Sequence, residues 1–386
     1  MRGMRVVLVE LCDEEETRDW RIERADAGVE IITLAPGTTL TDRSQNFTSQ
    51  LIEKLERFKP VGVAVAGYDR PEMRNALRWA NRQGAASVLM SETKVDDRAR
   101  PWWKRKLITR EVQKARAALV SGAAAGEYLV SLGFPREKVF RHYGAVDNAY
   151  FRERAYRRRR DDRRGFLTCC RLIETRKNIY ALLAAYRIYR LKTSRPWDLV
   201  ICGDGPDRAR YEAYARKDLV YGERIEGVTF AGFQQVDALA GYYARAGCLV
   251  HPAVNEAWGL VVNEALASGL PVLVSRRCGC AYDLVHEGIN GYTFDPSDIG
   301  GMSEALLKMS ELRVEHRIAM GDESLRIVSR YGCEAFAMGL ERAFDSCWKT
   351  HMAAPEGEND SQERVQRGEE ASESTMAPVE SSGGRP

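Results

Sequence analysis

A strand-like run from Cys248 to His251 ends at Pro252 and leads into a loop carrying Glu256 and Gly259. A helix opens near Leu260, and Glu264 follows Glu256 by eight positions. The unpaired amides at a helix start, at the positive end of its dipole, suit a phosphate. Gly259 lets the backbone approach a ligand closely. Carboxylates accept hydrogen bonds from vicinal hydroxyls, and Glu264 lies in the first turns, on the side of the helix start. This arrangement would hold a phosphate flanked by two polyols, the chemistry of a nucleotide diphosphate sugar. Taken alone, two such glutamates suit a solvated helix face equally well.

Two basic stretches stand out. Residues 98–116 (RARPWWKRKLITREVQKAR) carry eight positive charges and one Glu, with Trp102 and Trp103 at the head of a helix expected over Trp102 to Ala118. Basic charge with interfacial tryptophans suits an anionic membrane surface. A solvated helix lining a cleft has the same composition. Nucleic acid is not expected, because no nucleic-acid motif accompanies the charge. Residues 152–164 hold eight Arg against three acids and read as a solvated linker.

These residues need elements to position them. In the first half, apolar runs at Arg5–Val9, Val29–Leu34, Val61–Ala66, Ala86–Met90, Ala118–Ser121 and Lys138–His142 read as strands, the second ended by Pro36-Gly37. Helical spacing lies between them. The second half repeats the alternation from Gly165 through Ile299–Ser310, and two further helices follow to about His351. Such strands imply parallel sheets covered on both faces. The expected fold class is α/β, with two doubly wound Rossmann-like domains facing across a cleft. Ligands of such sheets bind beyond the carboxyl ends of the strands. The expected divisions are a first domain over 1–150, a basic linker over 151–164 and a second domain over 165–335. A helix over 336–352 is placed to pack back on the first domain, and an acidic tail over 353–386 is expected to be disordered.

The 386 residues suit two domains of ordinary size. The net charge of +3 is a sum of unlike parts: the tail has eight acidic and three basic residues, so the remainder carries +8. The tail has no aromatic residue and cannot offset its ordering entropy by burial. No apolar run reaches the roughly 18 residues of a membrane span, and no signal peptide is visible. Nine cysteines, without zinc-like spacing, read as free thiols in a reducing cytoplasm. The expected location is cytoplasmic, with peripheral association at the inner membrane face.

Residues 249–296, together with Arg171 and Lys177, the Gly203-Asp204-Gly205-Pro206 turn, Phe230-Ala231-Gly232-Phe233 and Gly288-Ile289-Asn290-Gly291, resemble retaining GT-B glycosyltransferases. The type is family four, the glycosyltransferases group one domain with its EX7E region. The likeness is close from Gly165 to Ser310 and looser before it. It implies that Arg171 and Lys177 hold the donor diphosphate and stabilise it as it leaves, where charge builds in the transition state. It implies that Glu256 binds hydroxyls of the transferred sugar and that the Ala257–Leu260 loop, with Val261 next to it, contacts sugar and phosphate. Trp258 stands where the family often has Phe. Glu264 then binds the ribose, Gly203 and Gly205 lie at the donor, and Phe233 lies where the base packs, though core packing suits its side chain better.

The resemblance further implies front-side transfer with retained configuration, the leaving diphosphate taking the acceptor proton. No cofactor or metal is expected. The donor would be a UDP- or GDP-sugar and the acceptor a sugar or lipid-linked hydroxyl, in exopolysaccharide or cell-envelope glycan assembly. The first half departs from the family. After Val9 there is no glycine pair, and the domain's only histidine is His142. Ser91 and Glu92 are the positional substitutes for a polar contact to sugar or acceptor, and equally a helix N-cap with a capping acid. A nucleotide-sugar epimerase on the same fold and a non-catalytic nucleotide-sugar-binding scaffold are the alternatives. The epimerase would need more cleft histidines than this chain carries.

Overall fold

Short apolar runs punctuated by glycine become parallel strands, and the amphipathic stretches between them become the covering helices. The computed structural model describes residues 5–14, 28–40, 45–97, 100–156, 160–217 and 222–352. The acidic Glu15-Glu16, Arg98, Arg157–Arg159 and the tail over 353–386 lie outside them. All that follows belongs to one unit, Met1–Trp348; the end of the last helix belongs to a second, Lys349–Pro386.

The first half runs β1 (Val7–Glu14), β2 (Glu30–Thr39), α1 (Thr48–Phe58), β3 (Gly62–Ala66), α2 (Pro71–Arg82), β4 (Ala86–Ser91), α3 (Trp102–Val112), β5 (Ala117–Val120), α4 (Ala123–Ser131), β6 (Val139–Arg141) and α5 (Asn148–Tyr156). Its strands do not form one sheet. β3-β4-β5-β6 make a four-stranded parallel sheet, and among the described residues β1 pairs with β2 alone. β2 also runs through Pro36-Gly37 rather than ending there. The pairing shifts register between Cys12 and Glu14, and the Gly37 amide donates to Asp13 Oδ1 at 2.7 Å. The proline and glycine therefore make an irregularity inside the strand, which the opposite strand's side chain stabilises.

The four-stranded sheet is covered on both faces. Leu89, Ala118 and Val120 face Leu77, Trp79, Val112 and Leu129, while Val88, Ala117 and Leu119 face Ala343, Phe344 and Cys347 of the last helix. This alternation is the period of two that a strand imposes. The basic helix is shorter than its spacing predicts. α3 ends at Val112, and a turn over 113–116 leads into β5.

The second half runs β7 (Phe166–Cys169), α6 (Glu174–Lys177), α7 (Ile179–Lys192), β8 (Leu199–Cys202), α8 (Arg208–Arg216), β9 (Val228–Gly232), α9 (Val236–Arg245), β10 (Cys248–His251), α10 (Leu260–Ala267), β11 (Val272–Ser275), α11 (Ala281–Leu284), β12 (Gly291–Phe294), α12 (Ile299–Glu311), α13 (Val314–Val328) and α14 (Cys333–Met352). The six parallel strands lie in the order β12-β11-β10-β7-β8-β9. The chain starts at β7, builds outward to β9, then crosses to β10 and builds the other way. The strand order reverses between β7 and β10, and that switch point opens a crevice at the strand ends.

Among the described residues of the arginine-rich stretch over 152–164, two arginines are not left in solvent as the charge predicts. The start of the stretch continues α5. Arg163 is buried and donates to the carbonyls of Ala155 at 2.8 Å and Ser268 at 2.9 Å, and Arg160 pairs with Asp322 at 2.6 Å. Charge composition reads this run as solvated because Ser268 and Asp322 lie more than a hundred positions away. The run fastens the domain boundary to α10 and α13.

Candidate active site at the strand switch point

Lys177 and Glu256 are 79 positions apart and meet at the crevice. Asn178 adopts a left-handed conformation (φ 59°) that separates α6 from α7. Its side chain donates to the carbonyls of Pro252 at 3.3 Å and Pro296 at 2.8 Å. The Arg176 carbonyl accepts from the amides of Val254 at 2.9 Å and Asn255 at 3.3 Å. Glu174 caps α7, accepting from the amides of Ile179 at 2.9 Å and Tyr180 at 3.3 Å. The loops after β7 and β10 are thus tied backbone to backbone.

Lys177 Nζ then pairs with Glu256 Oε2. His251, the last residue of β10 and fully buried, places Nε2 3.2 Å from the same oxygen. Burial pushes the Glu256 carboxyl up, but the His251 hydrogen bond and the Lys177 ammonium outweigh it and hold the group well below the usual carboxylate range. Burial pushes the His251 imidazole down despite Glu256, so the ring is neutral. Both partners converge on Oε2, which leaves Oε1 as the acceptor for a ligand. His251 entered the sequence reading only as part of a motif. Its position at a strand end before Pro252 was the available signal.

Gly259 starts α10 in a left-handed conformation (φ 109°), and no side chain caps the helix. Those first amides are open to a ligand. The Ala257 carbonyl leaves no room for a Cβ on Gly279, which would come within 1.8 Å. Leu260 is exposed and Val261 half-buried. Glu264 is part-buried on α10 and accepts a hydrogen bond from Tyr243 Oη at 2.7 Å. Burial pushes its carboxyl up to about 7, the tyrosine hydrogen bond lowering it only in part. Tyr243, on α9, was not a candidate from the sequence.

Arg171 is exposed just past the central strand β7, and Phe233 is half-buried just past the edge strand β9, both at the carboxyl ends of their strands. Gly203 and Gly205 follow β8. A Cβ on Gly203 (φ 135°) would lie 1.8 Å from the Cys170 carbonyl oxygen, and one on Gly205 2.5 Å from that of Leu172. Both glycines let this turn pack against the loop that carries Arg171. Burial pushes the Cys170 thiol up to about 12 and the Cys278 thiol higher, so neither offers a thiolate. Among the described residues no three His, Cys, Asp or Glu side chains cluster as a metal site.

The first half contributes the opposite wall. Asn255 Nδ2 donates to the Asp97 carbonyl at 2.7 Å, and the Asp283 carboxylate accepts from the Ala123 amide, at the start of α4, at 2.9 Å. Trp258 does not present its ring to the cleft. It is 1% exposed, its Nε1 donates to Asn263 Oδ1 at 2.9 Å, and Asn263 donates to the Gly144 carbonyl at 3.3 Å. Side chains at Gly122 and Gly144 would collide with the indole, at 2.4 Å in each case. The aromatic is a wedge between the halves.

Ser91 ends β4 and Glu92 follows it, and no helix starts directly after them, so the N-cap alternative fails. The Ser91 hydroxyl is buried and accepts from the Thr93 amide at 3.3 Å. Lys94, buried in the same loop, pairs with Asp96 at 2.5 Å and Asp97 at 3.5 Å. His142 lies edge-on to Tyr331 at 5.0 Å between ring centres.

Residues 152–325 match the family model described as glycosyl transferases group 1. The chain is 27% identical over 179 residues to O-antigen chain mannosyltransferase B of Escherichia coli, covering 46% of this chain and 41% of that protein. It is 36% identical over 98 residues to a sucrose synthase of Acidithiobacillus caldus, covering 24% of this chain and 12% of that one. The chain thus spans less than half the length of either relative. Among solved structures, HepE of Anabaena in complex with UDP aligns with a TM-score of 0.65 at 14% identity, covering 82% of this chain and 86% of that one. A trehalose-phosphate synthase from Burkholderia xenovorans aligns at 0.68 and 12% identity, covering 88% and 92%. These likenesses show the shared two-domain fold.

Proposed function

We propose that the protein is a retaining glycosyltransferase, because residues 152–325 match the family model of the group 1 glycosyl transferases and the chain has the GT-B fold. It moves a sugar from a UDP- or GDP-sugar to a hydroxyl of a sugar or lipid-linked acceptor. The observation that carries this reading is the meeting of Lys177 and Glu256 at the switch point, beside the uncapped start of α10. The relatives support the donor class: one similar structure holds UDP-glucose, and a mannosyltransferase of Corynebacterium glutamicum is named as GDP-mannose-dependent. The E. coli relative and a lipopolysaccharide galactosyltransferase among the structures support a role in cell-envelope glycan assembly.

In this reading the diphosphate lies against the first amides of α10 and draws Lys177 and Arg171 to it. Glu256 Oε1 accepts from hydroxyls of the transferred sugar, and Glu264 from those of the ribose. The bond from the anomeric carbon to the diphosphate breaks as the acceptor oxygen bonds to the same face. The acceptor's proton passes to the departing diphosphate oxygen. Lys177 and Arg171 supply the positive charge that the leaving group needs, and the reading invokes no metal ion.

Donor binding tests the assignment. Glu264 has an ordinary value of 4.5 and sits near 7 in the fold, so it is neutral below pH 7 and ionised above it. A neutral carboxyl has lost part of its accepting capacity. Calorimetric titration with UDP- and GDP-sugars is expected to show affinity rising several-fold from pH 6 to 8, with Glu264→Gln flattening the profile. Absence of binding to any of them would overturn the reading.

A further inference from the structure

α3 is attached to the protein by one side only. Val112 is buried, Ile108 packs partly on the core of the first half, and Arg105 donates to the Ser131 carbonyl at 2.9 Å. At about 100° per residue these three fall on one side of the helix. Trp103, Leu107 and Arg110 point the opposite way, with Lys106 beside them and Trp102 at the border between the two sides. Trp102 is 71% exposed, Trp103 48% and Leu107 56%. No contact among the described residues accounts for two indoles and a leucine left in water on one helix.

The charge around the helix has one sign: Arg105 turns toward Ser131 and Arg100 lies over the Tyr128 ring, and Lys104, Lys106 and Arg110 stay on the exposed part. From Arg100 to Arg110 there are five cations and no acid. The nearest acid, Glu111, is already paired with Arg78 and Lys114. Lys106 lies over the Trp102 ring at 5.0 Å and Lys104 over Trp103 at 5.4 Å, so ammonium groups and indoles share one surface. Indoles settle at the headgroup level of a bilayer, and lysine and arginine next to them are attracted to anionic headgroups. An apolar protein partner would match the indoles but not the density of cations. A nucleic acid would match the cations but leave Leu107 unused.

We propose that α3 docks the protein on an anionic lipid bilayer surface. No helix among the described residues is long and apolar enough to cross a membrane, so the contact is interfacial. α3 begins five positions after Asp97, whose carbonyl holds Asn255 beside Glu256. Docking therefore sets the lipid surface close to the wall of the cleft that faces the donor loop. Taken with the transferase reading, and resting on it, this places the acceptor on a lipid carried by that membrane.

The test uses the full-length protein without any nucleotide sugar, so its outcome is separate from the transferase assignment. Co-sedimentation at low salt is expected with vesicles of phosphatidylcholine and phosphatidylglycerol and not with phosphatidylcholine alone. Binding falls as ionic strength rises, because exposed charges are screened. The double variant Trp102→Ser, Trp103→Ser removes only exposed side chains and is expected to keep the circular dichroism spectrum. It should lose roughly tenfold or more in vesicle affinity. A variant with Lys104, Lys106 and Arg110 changed to Gln should lose the dependence on anionic lipid. The proposal is overturned by absence of sedimentation at low salt, by vesicle binding indifferent to the tryptophans, or by retention of the protein on RNA with none on vesicles.

Discussion

Lys177→Ala lowers turnover by about 100- to 1,000-fold while the protein stays folded. The ammonium is the positive group that the structure holds at the switch point, and in the absence of a donor it neutralises Glu256. The same side chain therefore has two tasks, and its removal has two costs. The leaving diphosphate loses its partner, which appears in kcat. Glu256 loses its cation and keeps only His251, so burial moves its carboxyl upward toward the ordinary range. Glu256→Ala is expected to fall by a similar factor, because the transferred sugar loses its acceptor for hydroxyls. The double variant is expected to fall by much less than the product of the two single losses, since residues in direct contact are coupled. Steady-state kinetics on the four proteins measure that coupling. Multiplying effects would show that the pair does not act as a unit, and near wild-type turnover in both single variants would remove the site assignment.

Trp258→Ala is expected to destabilise the protein by about 3–5 kcal/mol, the range for emptying a buried aromatic site. The indole fills the space that Gly122 and Gly144 leave open and donates to Asn263. Its ring also lies 6.0 Å from that of Tyr331, so three segments lose a common contact at once. At about 2–4 °C per kcal/mol for a domain of 150–250 residues, the thermal midpoint should fall by several degrees or more. Trp258→Phe keeps most of the volume and loses the Nε1 hydrogen bond, and its fall should be clearly smaller. Thermal unfolding followed by circular dichroism distinguishes them. An unchanged midpoint in the alanine variant would mean that the ring does not hold the two halves together.

Much of the second half was legible because its strands are buried on both faces and stopped by glycine or proline. The strands Cys248–His251, Val272–Ser275 and Gly291–Phe294 stand where apolar runs and their stops place them. The identity of the cleft loop could be read for the same reason: Gly259 and the opening of α10 are local features. What could not be read is pairing across distance. Nothing near Lys177 points to Glu256, and nothing in Arg163 points to the Ser268 carbonyl. Trp258 is an aromatic in a ligand loop by sequence, and only the neighbouring Gly122 and Gly144 turn it into a wedge. The first half was harder because its strands are more weakly specified. Among the described residues β1 and β2 pair only with each other, and both have exposed residues, so alternation could not predict which sheet they join. Pro36-Gly37 reads as a stop in one dimension and becomes an irregularity once Asp13 stabilises it.

The crevice between β7 and β10 is expected to consume a nucleotide sugar. The direct measurement incubates the full-length protein with UDP-glucose, UDP-galactose and GDP-mannose, each with a simple alkyl glycoside as acceptor. Nucleotide release is followed together with the proton NMR spectrum of the product. The prediction is release of UDP or GDP from at least one donor and a new glycosidic bond of the same anomeric configuration as the donor. A product of inverted configuration would contradict the front-side mechanism. Absence of both release and transfer across the panel would contradict the central claim.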